Sequence, residues 1–249
     1  MAFTETDVLS DIDRAFSGNR LLATFSPDAR DLVEPGSKIV DLKLGDVVLT
    51  RGEQVEYSIF PFGPTTISMV VDIDGRSIEV ASVGDEGAVG GIISCGEAPA
   101  YTRADVLVAG PALKLPMAAL EKAKSESGFI ANLFCRYSDY LLAQVMQGAA
   151  CNVFHSIQAR TARWLLTAQD RAGDRLELTQ EALAGLLGAQ RTTVNAAVRS
   201  LQEQGLVAIR RGAIHITDRS GLKQIACECY ARLEGHFGGV IGSKGIGGN

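Results

Sequence analysis

The segment at residues 179–206 has the pattern of two short helices joined by a tight turn. Apolar and small side chains fall where two closely crossing helices need them. These positions are Leu183, Ala184, Leu187, Val194 and Ala197. Gly188 lies between the two helices and is able to adopt the left-handed backbone that ends the first one. The spacing predicts a helix-turn-helix.

The second helix of this motif is expected to present a polar face to the outside. Because Val194 and Ala197 face the first helix, Arg191, Thr192 and Asn195 point outward near its start. In a helix-turn-helix, the N-terminal residues of the second helix reach base edges in the major groove of DNA. An ordinary antiparallel helix pair is the alternative, and the sequence that follows disfavours it.

A β-hairpin is predicted directly after the motif. Apolar residues alternate on both sides of Arg210-Arg211-Gly212, as is typical of two strands with a glycine turn. Positions 191–215 hold four arginines and one glutamate, a net +3, whereas the whole chain carries −5. Local positive charge on an acidic chain favours specific DNA binding over indiscriminate binding of polyanions. The hairpin therefore indicates a wing that contacts phosphates.

The composition is that of a folded chain without a membrane segment. Of the 249 residues, 46% are hydrophobic and 21% are charged, which suits a sizeable core and two domains. The first residues include acids and lack the basic-then-apolar run of a signal peptide. The longest uncharged stretch that could be taken for a membrane span is residues 141–159. It contains several amide side chains and is too polar to cross a membrane. We expect a cytoplasmic protein.

The five cysteines show no spacing typical of disulfide bonds or of a metal site. An odd number in such a chain disfavours disulfides. Cys227-Glu228-Cys229 has no second CxC or CxxC beside it, so no metal ligands are predicted. The apolar spacing there predicts one helix capped by Asp218, with Cys229 packed inside and Cys227 off that face and partly exposed. His155, near Cys151, is interpreted as a helix histidine with a local hydrogen bond.

Residues 21–115 consist of short apolar runs separated by turn signals. The strongest is Asp74-Gly75 between two alternating runs, which predicts a hairpin. Several such strands indicate an antiparallel sandwich or barrel, with prolines at the breaks.

From residue 118 onward the pattern is helical. Helices are predicted at 118–124, 126–151 and 153–171, and the glycine-rich tail at 235–249 is expected to be flexible. The long helix carries an apolar stripe that we interpret as a dimer interface. Its residues are Ile130, Phe134, Tyr137, Leu141, Val145 and Gly148. The alternative is that this stripe packs on the chain's own β-domain.

This order of elements resembles the cyclic-AMP receptor protein/FNR (Crp/Fnr) family of bacterial transcription regulators. The resemblance is specific in ARWLLTAQD, in LTQEALAGLLGAQRTTVNAAVRSLQEQGLV and in the RRG wing. It implies an α+β fold with an N-terminal antiparallel β-roll similar to cyclic-nucleotide-binding domains. The implied segments are a sensor at 20–117, a short helix and a long dimerisation helix at 118–152, and a winged helix-turn-helix at 153–234.

The segment GDEGAVGGIISCGEAPAYTR stands where the family has its phosphate-binding cassette, and it departs from that pattern. The family's Gly-Glu and Arg-Ser or Arg-Thr pairs are replaced by Gly90-Gly91 and Tyr101-Thr102, and Arg103 follows two positions after the missing arginine. Cyclic AMP is therefore disfavoured, although Gly90, Gly91, Tyr101, Thr102 and Arg103 remain the candidate effector pocket. The FNR-type iron–sulfur cluster is also disfavoured, because the first cysteine is Cys95. The sequence assigns no effector or cofactor.

Together these patterns predict a homodimeric regulator that binds a pseudo-palindromic site in double-stranded DNA, with RNA polymerase as a further partner. Arg191 is expected to contact guanine, and Thr192 and Asn195 are further candidates for base contacts. The remaining candidate DNA-binding residues, most of them expected at phosphates, are Thr179, Gln180, Thr193, Arg199, Arg210 and Arg211.

Two alternatives stay open at this stage. One is a small-molecule or redox sensor that acts through protein partners instead of DNA. The other is an enzyme, for which Ser94-Cys95-Gly96-Glu97 is the most nucleophile-like stretch. That cysteine lacks a nearby base in the sequence, since His155 and His215 lie in the helical and winged regions, so no catalytic residue is predicted.

Overall fold

The computed structural model describes residues 5–92 and 98–242. The chain divides into two compact units. The N-terminal unit comprises residues 1–69 and 82–139, and the C-terminal unit comprises residues 70–81 and 140–249. Within the described ranges, no helix has both the length and the apolar character needed to cross a bilayer.

The first part of the chain combines short helices with a set of strands. Its elements are α1 (Glu5–Gly18), α2 (Pro27–Val33), β1 (Lys38–Leu42), β2 (Val47–Leu49), β3 (Tyr57–Pro61), β4 (Thr66–Ile73), β5 (Arg76–Val83), β6 (Arg103–Val108), β7 (Gly110–Pro116), α3 (Met117–Glu126) and α4 (Gly128–Phe154). One sheet has the order β1-β7-β3 and the other β2-β6-β4-β5. This arrangement confirms the predicted β-rich domain followed by a short and a long helix.

The central strand of the first sheet carries much of its core. β7 pairs antiparallel with both neighbours, so that Leu113 lies opposite Ile39 on one side and Phe60 on the other. Leu113 and Phe60 are fully buried. Between β4 and β5, Asp74 and Gly75 both have positive φ, as the predicted hairpin turn requires.

The N-terminal helix α1 was not predicted from the sequence, and a buried asparagine fixes the chain that leaves it. The Asn19 amide donates to the carbonyls of Pro61 and Gly87 at 2.7 and 2.8 Å. Its oxygen accepts from the backbone N–H groups of Leu21 and Leu22, both at 3.1 Å. Every polar atom of this fully buried side chain is therefore satisfied, as burial demands.

The long helix α4 is anchored by Tyr137. Its hydroxyl accepts from the Ala88 N–H at 2.9 Å and lies 3.0 Å from the Ala88 carbonyl, to which it donates. A Cβ atom built on Gly87 would lie 1.9 Å from the same hydroxyl, so only glycine fits there. Phe134, one turn earlier, meets the Phe60 ring edge-on with centroids 6.2 Å apart.

This packing corrects the predicted dimer stripe. Ile130, Phe134, Tyr137 and Leu141 are all buried within their own chain. Val145 is 41% exposed, and Gly148 is half-buried. The three-and-four spacing reveals that a helix has an apolar face, but it does not say what covers that face. For Phe134 and Tyr137, the alternative of packing on the chain's own β-domain is the one observed.

The described residues after α4 include the expected winged helix-turn-helix. Its elements are α5 (Ile157–Ala172), β8 (Arg175–Leu176), α6 (Gln180–Leu186), α7 (Arg191–Glu203), β9 (Val207–Arg210), β10 (Ala213–Ile216), α8 (Arg219–Ile225) and α9 (Cys229–Val240). Helix α5 begins at its cap Ser156 and ends at Gly173, whose φ is +79°. The three strands pair antiparallel in the order β8-β10-β9.

Two predictions for the C-terminus are corrected. The expected single helix after Asp218 is broken, because Ala226 adopts an extended backbone between α8 and α9. The expected flexible tail is helical as far as Val240, and residues 243–249 lie outside the described range. Phe237 explains the second difference, since its buried ring meets Tyr140 at a centroid distance of 5.0 Å.

The tip of the β4–β5 hairpin belongs to the C-terminal unit. There Trp164 of α5 donates its indole N–H to the Glu79 carboxylate at 2.9 Å. Ile78 lies against Gly188. The hairpin tip therefore packs on the helix-turn-helix, through one charge-assisted hydrogen bond and one apolar contact.

We predict that Tyr137→Phe lowers the free energy of unfolding by about 1–3 kcal/mol, because the buried Ala88 N–H loses its acceptor. Urea denaturation measures the change. Tyr101→Phe is the matched control, since Tyr101 is 76% exposed and its loss of a hydroxyl should cost less than about 0.5 kcal/mol. Equal stability losses for the two variants would contradict an anchoring role of the Tyr137 hydroxyl.

Candidate nucleic-acid interface

The residues predicted to pack between α6 and α7 are buried there. Leu183, Ala184, Val194 and Ala197 are all buried. Gly188 has a φ of +59°, and a Cβ atom there would lie 2.6 Å from Ile78 Cδ1. Glycine is thus required at the turn both for its backbone and for its lack of a side chain.

The two helices begin differently. Thr179 caps α6, because its hydroxyl oxygen accepts from the Ala182 N–H at 3.1 Å. Its proton remains available to a phosphate oxygen. Gln190 precedes α7 without a side-chain cap. The positive end of the α7 dipole is therefore not covered by a capping side chain, which suits an anion.

The start of α7 presents its predicted contact residues to the surface. Arg191, Thr192 and Thr193 are exposed. The Arg191 guanidinium pairs with Glu181 at 3.2 Å, and the two side chains are 64% and 71% exposed. An exposed pair of this kind contributes little stability, so Arg191 is easily released to another partner.

Asn195 lies deeper than the sequence suggested. It is half-buried, and its Oδ1 is shielded from solvent without a hydrogen-bond donor. Beside it, Arg199 pairs with Glu203 at 3.0 Å on the exposed side of the helix. A depression of about 520 Å³ is lined by both residues and by Gln180, Gln202, Glu203 and Ile209. The structure thus brings Gln180, Asn195 and Arg199 together.

The predicted wing is a tight hairpin. Arg210 lies opposite Ala213, so the turn consists of Arg211 and Gly212, and Gly212 has a φ of +74°. Both arginines are exposed. The second strand of the hairpin, β10, also pairs with β8 on its other side, where Ile214 lies opposite Leu176. Two cationic side chains therefore stand at the tip of a braced hairpin.

The candidate effector residues differ in exposure and in local geometry. Gly90 and Gly91 are buried with positive φ, and a Cβ atom at Gly90 would lie 2.4 Å from the Tyr57 carbonyl oxygen. Tyr101 is instead exposed. Arg103 forms an ion pair with Asp105 at 2.7 Å, as residues two apart on one face of a strand can do.

A cavity of about 620 Å³ lies in the N-terminal unit, and none of the five predicted pocket residues is among those that line it. Its walls include Glu53, Glu56, Tyr57 and Lys114. The cysteine stretch considered for an enzyme lies outside the described residues.

A cluster of Cys151, His155, Cys227 and Cys229 was missed by the sequence analysis. Cys227 is buried, not partly exposed as predicted, because the break at Ala226 redirects it. Its hydrogen bond, together with His155 and the charge of Arg163, lowers the pKa of Cys151 to about 5. The same hydrogen bond and burial raise the pKa of Cys227. The signal available in the sequence was Cys151-x3-His155, one helical turn apart.

Comparison with known proteins assigns the C-terminal region. The family profile of the Crp-like helix-turn-helix domain matches residues 159–225. The chain contains a Crp-like helix-turn-helix domain. Over 68 residues it is 38% identical to the HTH-type transcriptional regulator Cmr of Mycobacterium tuberculosis, and the match spans 27% of each protein.

Solved structures extend the likeness beyond the helix-turn-helix domain. A structure described as a Crp/Fnr-family regulator from Eubacterium rectale has a TM-score of 0.65 at 20% identity, covering 82% of this chain and 96% of its own. FixK2 from Bradyrhizobium japonicum also has a TM-score of 0.65, at 17% identity, covering 77% and 98%. The expected resemblance is thus confirmed for the helix-turn-helix domain and for the Crp/Fnr fold.

Proposed function

We propose that this protein is a sequence-specific, DNA-binding transcription regulator of the Crp/Fnr type that acts as a homodimer. The observation that carries the proposal is the exposed, uncapped start of α7 together with the exposed, cationic tip of the wing. On a chain of net charge −5, this concentration of arginines favours a defined DNA site over general polyanion binding.

Each exposed group has a role that fits its geometry. Arg191 reads guanine through its two parallel N–H donors once its pair with Glu181 opens, which costs at most about 1 kcal/mol. Thr192 lies beside it for a further base contact. Asn195 reaches a base only if its half-buried side chain turns outward. Phosphates are bound by the cap hydroxyl of Thr179, by Gln180, Thr193 and Arg199, and by Arg210 and Arg211 of the wing.

Selection of bound fragments from genomic DNA tests this function. We expect enrichment of an inverted repeat whose half-sites lie about 10 bp apart, or a multiple of that distance. If no sequence is enriched while the protein captures a protein partner, the alternative of a sensor acting through proteins gains support. RNA polymerase is the partner that we expect when the operator is present.

Arg191→Ala is expected to lower affinity for the operator by about 1–3 kcal/mol and to relax discrimination at one base pair per half-site. Binding to single-base operator variants measures both effects. Arg14→Ala is the control, because Arg14 forms a similarly exposed ion pair with Asp11 in α1.

Arg211→Ala distinguishes phosphate contact from base reading. This variant should weaken all operator variants equally and lower the salt slope by about one. If Arg191→Ala discriminates between single-base operator variants as the wild-type protein does, Arg191 makes no base contact.

The proposed dimer interface shares Val145 with the stripe predicted from the sequence but otherwise lies on another face of α4. Leu142, Val145, Met146 and Val153 are 48%, 41%, 62% and 75% exposed. Leu142, Met146, Ala149 and Val153 follow the four-three-four spacing of a helix-packing stripe. A second copy of the chain is the partner that fits, since a two-fold pair of recognition helices matches an inverted-repeat site.

Met146→Glu is expected to yield a monomer that binds the operator weakly, because each interface would bury an unpaired charge. Sedimentation velocity measures the oligomeric state. Leu44→Glu is the control, since Leu44 is 62% exposed outside α4. A Met146→Glu protein that sediments as a dimer would exclude this face.

Cyclic AMP is not the proposed effector. A buried cyclic phosphate needs a charge-assisted donor, whereas Tyr101 offers none and the Arg103 guanidinium is paired with Asp105. Gly91 offers no carboxylate to the ribose. We expect no binding of cyclic AMP or cyclic GMP in calorimetric titration. A micromolar dissociation constant for either would mean that Arg103 leaves Asp105 to bind the phosphate.

A further inference from the structure

Three thiols and one imidazole meet at one point in the C-terminal unit. Their potential ligand atoms, from Cys151, His155, Cys227 and Cys229, all lie within 4.8 Å of one another. The three cysteines are buried and His155 is half-buried. Apolar packing alone does not explain why four groups able to bind a metal point towards one another in a small space.

The distances match the edges of a metal-centred tetrahedron. The sulfur atoms of Cys151 and Cys227 are 3.6 Å apart, and the Cys229 sulfur lies 3.4 Å from His155 Nδ1. Ordinary zinc bond lengths imply edges of about 3.8 Å between two sulfurs and about 3.6 Å between sulfur and nitrogen. A cluster of several irons does not fit, because its cysteine sulfurs bind different metal atoms and stand further apart.

The backbone is shaped to bring the two C-terminal cysteines together. In a continuous helix each residue turns by about 100°, so side chains two residues apart lie on nearly opposite sides of the helix. Here α8 ends at Ile225, Ala226 is extended, and α9 begins at Cys229. Cys227 and Cys229 therefore both point inward. Cys151 and His155 face the same way because they are one turn apart at the end of α4.

The surrounding side chains complete the site. Glu228 lies 3.3 Å from His155 Nε2, so a proton held there leaves Nδ1 free to ligate. Such carboxylate–histidine pairs are typical around metal ligands. Gln147 donates to the Cys229 sulfur at 3.0 Å, as a thiolate would favour. The charges of Arg160 and Arg163 act on Cys151 and offset the negative charge of three thiolates around a divalent ion.

We propose that Cys151, His155, Cys227 and Cys229 bind one Zn²⁺ ion in a closed, four-coordinate structural site. Four protein ligands leave no open position for a substrate, so the ion acts on stability and not in catalysis. It joins the end of α4 to the link between α8 and α9. The site would hold these helices together at a small cluster of buried cysteines against which Ala159 packs.

The test is metal analysis of the full-length protein, purified under reducing conditions from zinc-containing medium. We expect about one zinc ion per chain, and we expect a lower melting temperature after removal of the ion by a strong chelator. Replacement by Co²⁺ should give the visible absorption and the sulfur-to-metal charge-transfer band of a tetrahedral thiolate site.

Two variants and one control make the assignment specific. Cys229→Ser should retain less than about one tenth of the zinc, and Glu228→Gln should bind it about 10-fold to 100-fold more weakly without losing a ligand. Cys135→Ser is the control, because Cys135 is an exposed thiol on α4 outside the cluster. If Cys229→Ser does not fold, the Co²⁺ spectrum and the Glu228→Gln affinity decide the question.

Three results would each overturn the proposal. The first is a reduced wild-type protein that neither contains zinc nor takes it up in titration. The second is a folded Cys229→Ser protein that retains its zinc. The third is a disulfide between Cys151 and Cys227 in protein purified without reductant, shown by peptide mapping after the free thiols are blocked.

Discussion

The hydroxyl of Tyr137 fixes α4 on the N-terminal unit, and much of that unit depends on this contact. The hydroxyl satisfies both backbone groups of Ala88, at a point where Gly87 leaves room only because it has no side chain. A helix held in this way cannot rotate, so its inner face is committed to the chain's own sheets. Further along the helix, Leu142, Val145, Met146 and Val153 are exposed.

Local signals in the sequence were sufficient for the helix-turn-helix, the wing and the β4–β5 hairpin. Gly188, Gly212 and the Asp74-Gly75 pair all have the positive φ that their turns require. A turn of this kind is decided by one or two residues and their immediate neighbours, whatever the rest of the chain does. The apolar spacing around each turn then defines which helix or strand faces are buried.

Features that depend on distant residues were not predictable in the same way. The stripe through Phe134 and Tyr137 identified a packing face, but its partner, Phe60, lies far away in sequence. Asn19 is buried through bonds to Pro61 and Gly87, which no local pattern reveals. The cysteine cluster joins residues 76 positions apart, and the break at Ala226 that aligns Cys227 with it carries no glycine or proline.

The indole of Trp164 gives the C-terminal unit a built-in optical reporter. It is the chain's single tryptophan, and its N–H binds Glu79 at the tip of the β4–β5 hairpin. The fluorescence of the whole protein comes mainly from this one ring, and its emission depends on the polarity and hydrogen bonding around the indole. A spectral change on adding a small molecule or a DNA fragment would thus follow the hairpin's attachment to the helix-turn-helix, without any introduced label.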